Sequence, residues 1–197
     1  MLQTQHAGEN LVNVELKGDH NNVTIINDAR ALSDNLAEQF EALAPDRIFK
    51  ILVCLPTADR ESDQWAAFAH DLTEALANKG FEIILGGRHV PRTENEYIFV
   101  AEEEQLSDRQ CHALLVIACD YVTLSQLTHL TSVIKSRRRR RQHIVVVPNQ
   151  AILEGEAYFK EGALLAAEQL GHVFLSSPSN ELIAAIVNQF MLYKNLK

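Results

Sequence analysis

From residue 47 onward, apolar runs alternate with amphipathic stretches, and this rhythm is typical of a parallel α/β sheet. The apolar runs predict five buried strands, at 48–55, 81–85, 112–119, 143–148 and 173–175. Apolar residues between the strands recur at helical spacing, which predicts helices at roughly 62–79, 94–105, 125–139, 155–170 and 179–192. Strands that alternate with helices across short connections predict a doubly wound, five-stranded parallel sheet. Right-handed crossovers then favour the flavodoxin-like strand order, a Rossmann-like arrangement.

The first 46 residues follow a different pattern. Residues 11–16 alternate apolar and polar side chains, residues 17–22 are rich in turn formers, and residues 23–26 are again mostly apolar. This pattern predicts a β-hairpin, and the helical spacing of apolar residues from Leu32 to Leu43 predicts a helix after it. We expect residues 1–46 to form an appendage and residues 47–197 to form the α/β domain. An isolated hairpin is marginally stable, so the appendage is either an edge element of the main domain or an assembly or tethering module.

Composition narrows the class of protein. The chain has 197 residues and a formal net charge of -8 at pH 7, which argues against polyanion binding by the whole surface. No apolar run approaches the roughly 20 residues that span a bilayer, and the amino terminus lacks the pattern of a secretory signal. The three cysteines, Cys54, Cys111 and Cys119, lack metal-ligand spacing and fit free buried thiols. We therefore expect a cytoplasmic protein without a metal site and without membrane contact.

Candidate binding residues follow the strands. In a doubly wound sheet the carboxyl ends of the first, third and fourth strands meet at one crevice, where ligands bind. The polar residues that follow those strands are candidate ligand-binding groups, namely Thr57, Asp59, Glu61, Tyr121, Ser125 and Asn149. Gly87 and Arg88 follow the second strand, where the glycine pair forms either a tight turn or a phosphate cradle. The first loop has no glycine and so matches neither a P-loop nor the dinucleotide-binding pattern.

Two strand–helix pairs carry a resemblance to known families. Residues 51–76 read ILVCLPTADRESDQWAAFAHDLTEAL and are followed at 79–85 by KGFEIIL, while 111–118 read CHALLVIA and 125–131 read SQLTHLT. Over about residues 48–148 this pattern resembles TIR domains and nucleoside 2-deoxyribosyltransferase-like domains. The resemblance implies a nucleotide- or NAD-derived ligand or substrate, and a role in prokaryotic antiviral defence or signalling. The asparagine-rich hairpin is similar to the short β appendages of such proteins, which implies an oligomer or a larger assembly.

The residue that carries catalysis in those families is missing here. Their glutamate, on the helix after the third strand, acts at the N-glycosidic bond of NAD or a nucleoside. One alignment places His129 at that position, the other places Leu130 or Thr131 there, and no acidic residue lies between Asp120 and Glu154. The resemblance therefore implies either an N-glycosidase or a degenerate sensor or scaffold.

Asp120 and His129 are the catalytic candidates, each with a structural alternative. Asp120 is either a catalytic acid or a residue that caps a turn or helix. His129 is either a general base or a structural histidine of the helix. Tyr121 either stacks on a base or packs over the strand ends. The acidic triplet 102–104 is expected to be a solvated helix face.

A basic run follows the predicted third-strand helix. It consists of Arg137, Arg138, Arg139, Arg140 and Arg141. It is either a solvated helix end that complements the helix dipole or a phosphate contact to nucleic acid or an acidic partner. No aromatic residue interrupts the run, so stacking on single-stranded bases is not indicated.

Overall fold

The computed structural model describes residues 3–6, 11–15, 22–26, 48–57, 63–108, 110–136, 142–154 and 157–196. The chain divides into two compact units, one of residues 47–189 and one of residues 1–46 with 190–197. Within the described ranges, no helix has both the length and the apolar character needed to cross a membrane.

The described strands are β1 (Gln3–His6), β2 (Leu11–Glu15), β3 (Asn22–Ile26), β4 (Phe49–Cys54), β5 (Phe81–Leu85), β6 (Cys111–Ala118), β7 (His143–Pro148) and β8 (Gly171–Val173). The described α-helices are α1 (Asp63–Asn78), α2 (Ile98–Ser107), α3 (Tyr121–Ser136), α4 (Gln150–Leu153), α5 (Ala157–Phe159), α6 (Leu165–Leu170) and α7 (Asn180–Asn195). A 3-10 turn covers Gly87–His89, and a π-helical turn, Lys160–Leu164, joins α5 to α6.

The larger unit contains a five-stranded parallel sheet in the order β5-β4-β6-β7-β8. This order confirms the predicted α/β class and flavodoxin-like topology. The chain moves outward from β4 to β5 and then crosses back to β6. Because parallel crossovers are right-handed, this reversal places α1 and α2 on opposite faces of the sheet. The carboxyl ends of β4 and β6, which flank the reversal, therefore border the crevice where doubly wound folds bind ligands.

The central strands are buried on both faces, as the continuous apolar runs in the sequence predict. In β6 every residue from Ala113 to Ala118 is buried. The face that α2 and α3 cover is one apolar cluster, which includes Leu52, Cys54, Leu106, Leu114, Val116, Leu124, Leu127 and Leu130. On the edge strand β8, a Cβ added to Gly171 would lie 1.9 Å from the Ile144 carbonyl oxygen, so the close pairing with β7 requires glycine.

The amino-terminal strands form a separate antiparallel sheet in the order β1-β2-β3. Strands β2 and β3 pair with Leu11 opposite Ile26, at nearly the bounds that the alternating pattern predicts. The sequence analysis did not predict β1, which pairs with β2 through Gln3 and Glu15. The helix predicted between Leu32 and Leu43 lies outside the described residues.

Candidate functional site

Asp120 connects β4 and β6 at the carboxyl ends of these two strands. One carboxylate oxygen, Oδ2, accepts hydrogen bonds from the backbone N–H and the hydroxyl of Thr57, both at 2.8 Å. The other, Oδ1, accepts from the backbone N–H and the hydroxyl of Thr123, both at 2.7 Å. The residue is only 8% exposed. The carboxylate therefore clamps the loop after β4 to the first turn of α3.

The local sequence explains half of this arrangement. Asp120 immediately precedes α3, and an aspartate there accepts from the backbone N–H three residues later, as a helix N-cap does. Thr123 in turn places its hydroxyl oxygen 3.2 Å from the backbone nitrogens of Cys119 and Asp120, as in a reciprocal capping box. This cap begins α3 at Tyr121, four residues before the predicted start near Ser125. Asp120 is therefore a helix cap in this fold.

The same contacts set the acidity of Asp120. Burial by itself raises the pKa of this carboxyl group, but the hydrogen bonds from Thr123 and Thr57 outweigh it, and the net effect lowers the pKa from its ordinary value. The group is thus an anion at neutral pH whose oxygens already receive four donors. A general base or nucleophile needs a lone pair directed at the substrate, and the four protein donors occupy that capacity.

A second carboxylate, Glu102, lies buried under the loop after β5. It is 1% exposed, and its Oε1 accepts from the backbone N–H of Gly87 and from the side-chain amide of Gln126, both at 2.5 Å. The expectation of a solvated acidic face is therefore wrong for Glu102, because α2 packs this position against α3 and the turn. Glu102 joins α2, α3 and the loop after β5.

The Gly86–Gly87 pair forms a tight turn above Glu102. A Cβ added to Gly86 would lie 2.9 Å from Glu102 Oε1 and 3.2 Å from Cys54 Sγ, so the turn leaves no room for a side chain. Gly87 has φ +64°, a left-handed conformation that glycine adopts readily, and its N–H is committed to Glu102. Burial, and secondly the Glu102 charge, raise the pKa of the Cys54 thiol. The pair is therefore a turn whose second amide is unavailable to a phosphate, while Arg88 beside it is exposed.

His129 lies well away from Asp120. Nine positions along α3 correspond to roughly 13 Å at the helical rise. His129 Nε2 is 3.8 Å from Glu103 Oε2, and its ring meets that of Phe99 edge-on at a centroid distance of 5.8 Å. The side chain is 37% exposed. The structure therefore places His129 between α2 and α3 on the flank of the domain, apart from Asp120.

The remaining candidates divide between accessible and structural positions. Tyr121 is 69% exposed, and Ser125, one helical turn later, is also exposed, so the two share one face at the start of α3. Asn149 caps α4, since its Oδ1 accepts from Ala151 N at 3.1 Å, and its own N–H donates to the Ala118 carbonyl at 2.9 Å. It thereby ties the carboxyl end of β7 to that of β6.

Several candidates fall outside the described residues, namely Asp59, Glu61, Arg137, Arg138, Arg139, Arg140 and Arg141. In the part of the chain that the structure covers, no group of three or more histidine, cysteine, aspartate or glutamate side chains could hold a metal ion. No protein-family profile matches the chain, and the comparison with curated proteins gave no match. The geometry of the site itself offers an exposed ring and an exposed hydroxyl beside a clamped carboxylate.

Proposed function

We propose that this chain is a TIR-like or deoxyribosyltransferase-like protein of prokaryotic antiviral defence or signalling. It binds a nucleotide- or NAD-derived ligand at the carboxyl edge of β4 and β6, and it acts there as a sensor or scaffold without cleaving the ligand. The observation that carries this proposal is the state of Asp120, whose two carboxylate oxygens each accept two hydrogen bonds from the protein.

The charges near the proposed site disfavour cleavage of the ligand. Breaking an N-glycosidic bond develops positive charge on the ribose, and a carboxylate must face that charge or attack it. Asp120 faces Thr57 and Thr123 instead, and Glu102 is buried beneath Gly87. Among the described residues, His129 is the other catalytic candidate, and it lies on the flank of the domain with Glu103.

The start of α3 carries the groups that favour ligand binding. Tyr121 presents a largely exposed ring beside the crevice, and aromatic rings stack on nucleobases of any type. Ser125 adds a hydroxyl on the same face, which suits a ribose or phosphate oxygen. A base on Tyr121 with its sugar toward Ser125 is the ligand arrangement that these positions favour.

Calorimetric titration with NAD, ADP-ribose and a panel of nucleosides and nucleotides tests the proposal, together with chromatography for released base. We expect binding of at least one member and no base release. Tyr121→Ala should weaken that binding about tenfold, the order of one lost stacking contact. Tyr97→Ala is the matched control, because Tyr97 is 71% exposed on the loop before α2. Released base, or equal effects of the two variants, would overturn the proposal.

We extend the proposal to assembly through the amino-terminal sheet. Strands β1 and β3 each have one described neighbour, and strand edges of this kind pair readily with other chains. Light scattering on the full chain should give a mass of two or more times 22.1 kDa. A monomer at all concentrations would contradict assembly, without bearing on ligand binding.

A further inference from the structure

A groove of about 200 Å³ lies on the larger unit, between residues 128–135 of α3 and the helical stretch 157–170. From α3 it is lined by Thr128, Thr131, Ser132 and Lys135. Helix α3 begins at the carboxyl edge of the sheet, so these later turns lie toward the opposite edge. The groove therefore starts at Thr128, one helical turn beyond Ser125, and extends from there away from Tyr121.

The α3 side of the groove is a polar stripe. Residues 128, 131, 132 and 135 follow the i, i+3, i+4, i+7 spacing that places side chains on one helix face. Three of them carry hydroxyl groups, and the last is a lysine whose side chain is exposed. The stripe thus offers several hydrogen-bonding groups and one positive charge.

The opposite side is made of small residues. Gly162, Ala163 and Ala166 line it, and a Cβ added to Gly162 would meet no atom within 4 Å. The π-helical turn Lys160–Leu164 forms part of this wall, and such turns are rare and frequently occur at functional sites. The exposed ring of Tyr158 stands at the rim. The wall is therefore apolar and open.

Thr131 is the decisive residue. It is only 2% exposed, and its buried hydroxyl oxygen has no hydrogen-bond partner. Threonines in a helix commonly bond the carbonyl four residues earlier, as Thr128 does with Leu124 at 2.9 Å. Buried polar groups in folded proteins are nearly always paired, and Thr131 lines the groove, so its lone hydroxyl points to a partner that a ligand supplies once the hydroxyl turns toward the groove.

We propose that this groove binds a small organic anion, a compact apolar or aromatic body that carries one anionic oxygen head. The head lies against Lys135 and the hydroxyl stripe, with Thr131 completing its hydrogen bonding, and the body lies on the small-residue wall under Tyr158. The size agrees, because a cavity of roughly 150 Å³ accepts benzene, so about 200 Å³ holds a ring with a small head.

The test is NMR titration of the full chain with benzoate and phenyl phosphate as probes. Two control compounds are titrated in parallel: benzyl alcohol, which lacks the negative charge, and inorganic phosphate, which lacks the aromatic body. We expect the two aromatic anions to bind and to shift the Thr131 methyl signal. Benzyl alcohol and inorganic phosphate should each bind at least tenfold more weakly than the aromatic anions. The order of benzoate and phenyl phosphate then tells whether a carboxylate or a phosphate head is preferred. Failure of both anions to bind at millimolar concentration would overturn the proposal.

Three variants and one control show where the probes bind. Lys135→Gln should weaken binding about tenfold, whereas Lys79→Gln at the end of α1 makes the same charge change away from the groove and should have no effect. Ala166→Leu should abolish binding by filling the groove. Thr131→Val should weaken binding about fivefold while leaving the melting temperature unchanged or higher, since it removes an unpaired hydroxyl. Binding that is insensitive to Lys135→Gln and Ala166→Leu would place the probes elsewhere and contradict the site.

Discussion

Replacing Asp120 with alanine is expected to destabilise the domain while leaving its architecture intact. Loss of a helix N-cap typically costs about 1 kcal/mol. The hydrogen bonds from Thr57 are made to a charged acceptor, and such bonds contribute about 1.5–3 kcal/mol. Counting the two bonds from Thr57 as one such contribution gives about 2.5–4 kcal/mol for Asp120→Ala, a large share of the roughly 5–15 kcal/mol that stabilises a typical domain.

Urea denaturation followed by circular dichroism measures this free energy of unfolding. Asp120→Asn is the graded control, because asparagine caps helices about as well as aspartate and keeps one acceptor oxygen, so its cost should be clearly smaller. Thr57→Val removes one donor, and combining it with Asp120→Ala should cost less than the sum of the two changes. A cost below about 1 kcal/mol for Asp120→Ala, or strict additivity with Thr57→Val, would refute the clamp.

Three further predictions follow from the same contacts. Folding lowers the pKa of Asp120, so the stability that its carboxylate gives the fold is complete above about pH 4 and is lost as pH falls through the folded pKa. The difference in unfolding free energy between the native chain and Asp120→Asn should therefore shrink in urea titrations carried from pH 7 to pH 2.5. A constant difference would argue against the lowered pKa. Gly171→Ala should lower the melting temperature and cost about 2 kcal/mol or more, since the new Cβ would meet the Ile144 carbonyl. Gly162→Ala, where a Cβ meets no atom, should be neutral or slightly stabilising. Equal melting temperatures for the two variants would count against the tight β7–β8 pairing. The three buried cysteines, with the pKa of Cys54 raised, should resist a thiol-specific reagent at neutral pH until denaturant is added, and rapid labelling of the native protein would show an open core.

The sheet could be predicted from the sequence, because its central strands are buried on both faces and so appear as unbroken apolar runs. Strand β6 is the clearest case, since apolar residues fill it from Ala113 to Ala118. The edge strand β8 was harder: it covers Gly171–Val173 and not the predicted 173–175. Gly171 is typical of a turn, and only its contact with Ile144 explains why the strand begins there.

The candidate site was harder to predict from the sequence, because its contacts join distant parts of the chain. The spacing of Asp120 and Thr123 is a local capping signal that a sequence could reveal, but the bonds from Thr57 span 63 positions. Glu102 lies in a run of three identical residues, so nothing local separates it from its neighbours. Packing against Gly87 and Gln126 alone marks it as the buried member.

The most direct test of the account is saturation-transfer NMR on the full chain with NAD, repeated with Asp120→Asn. We expect transfer from the protein to the protons of NAD, or of a nucleotide tried in its place, equal for both proteins after correction for folded fraction, with no free nicotinamide after prolonged incubation with NAD. Accumulation of nicotinamide that Asp120→Asn abolishes would make Asp120 catalytic and contradict a recognition site. Absence of transfer to NAD and to every nucleotide tried in its place would remove the ligand-binding function itself.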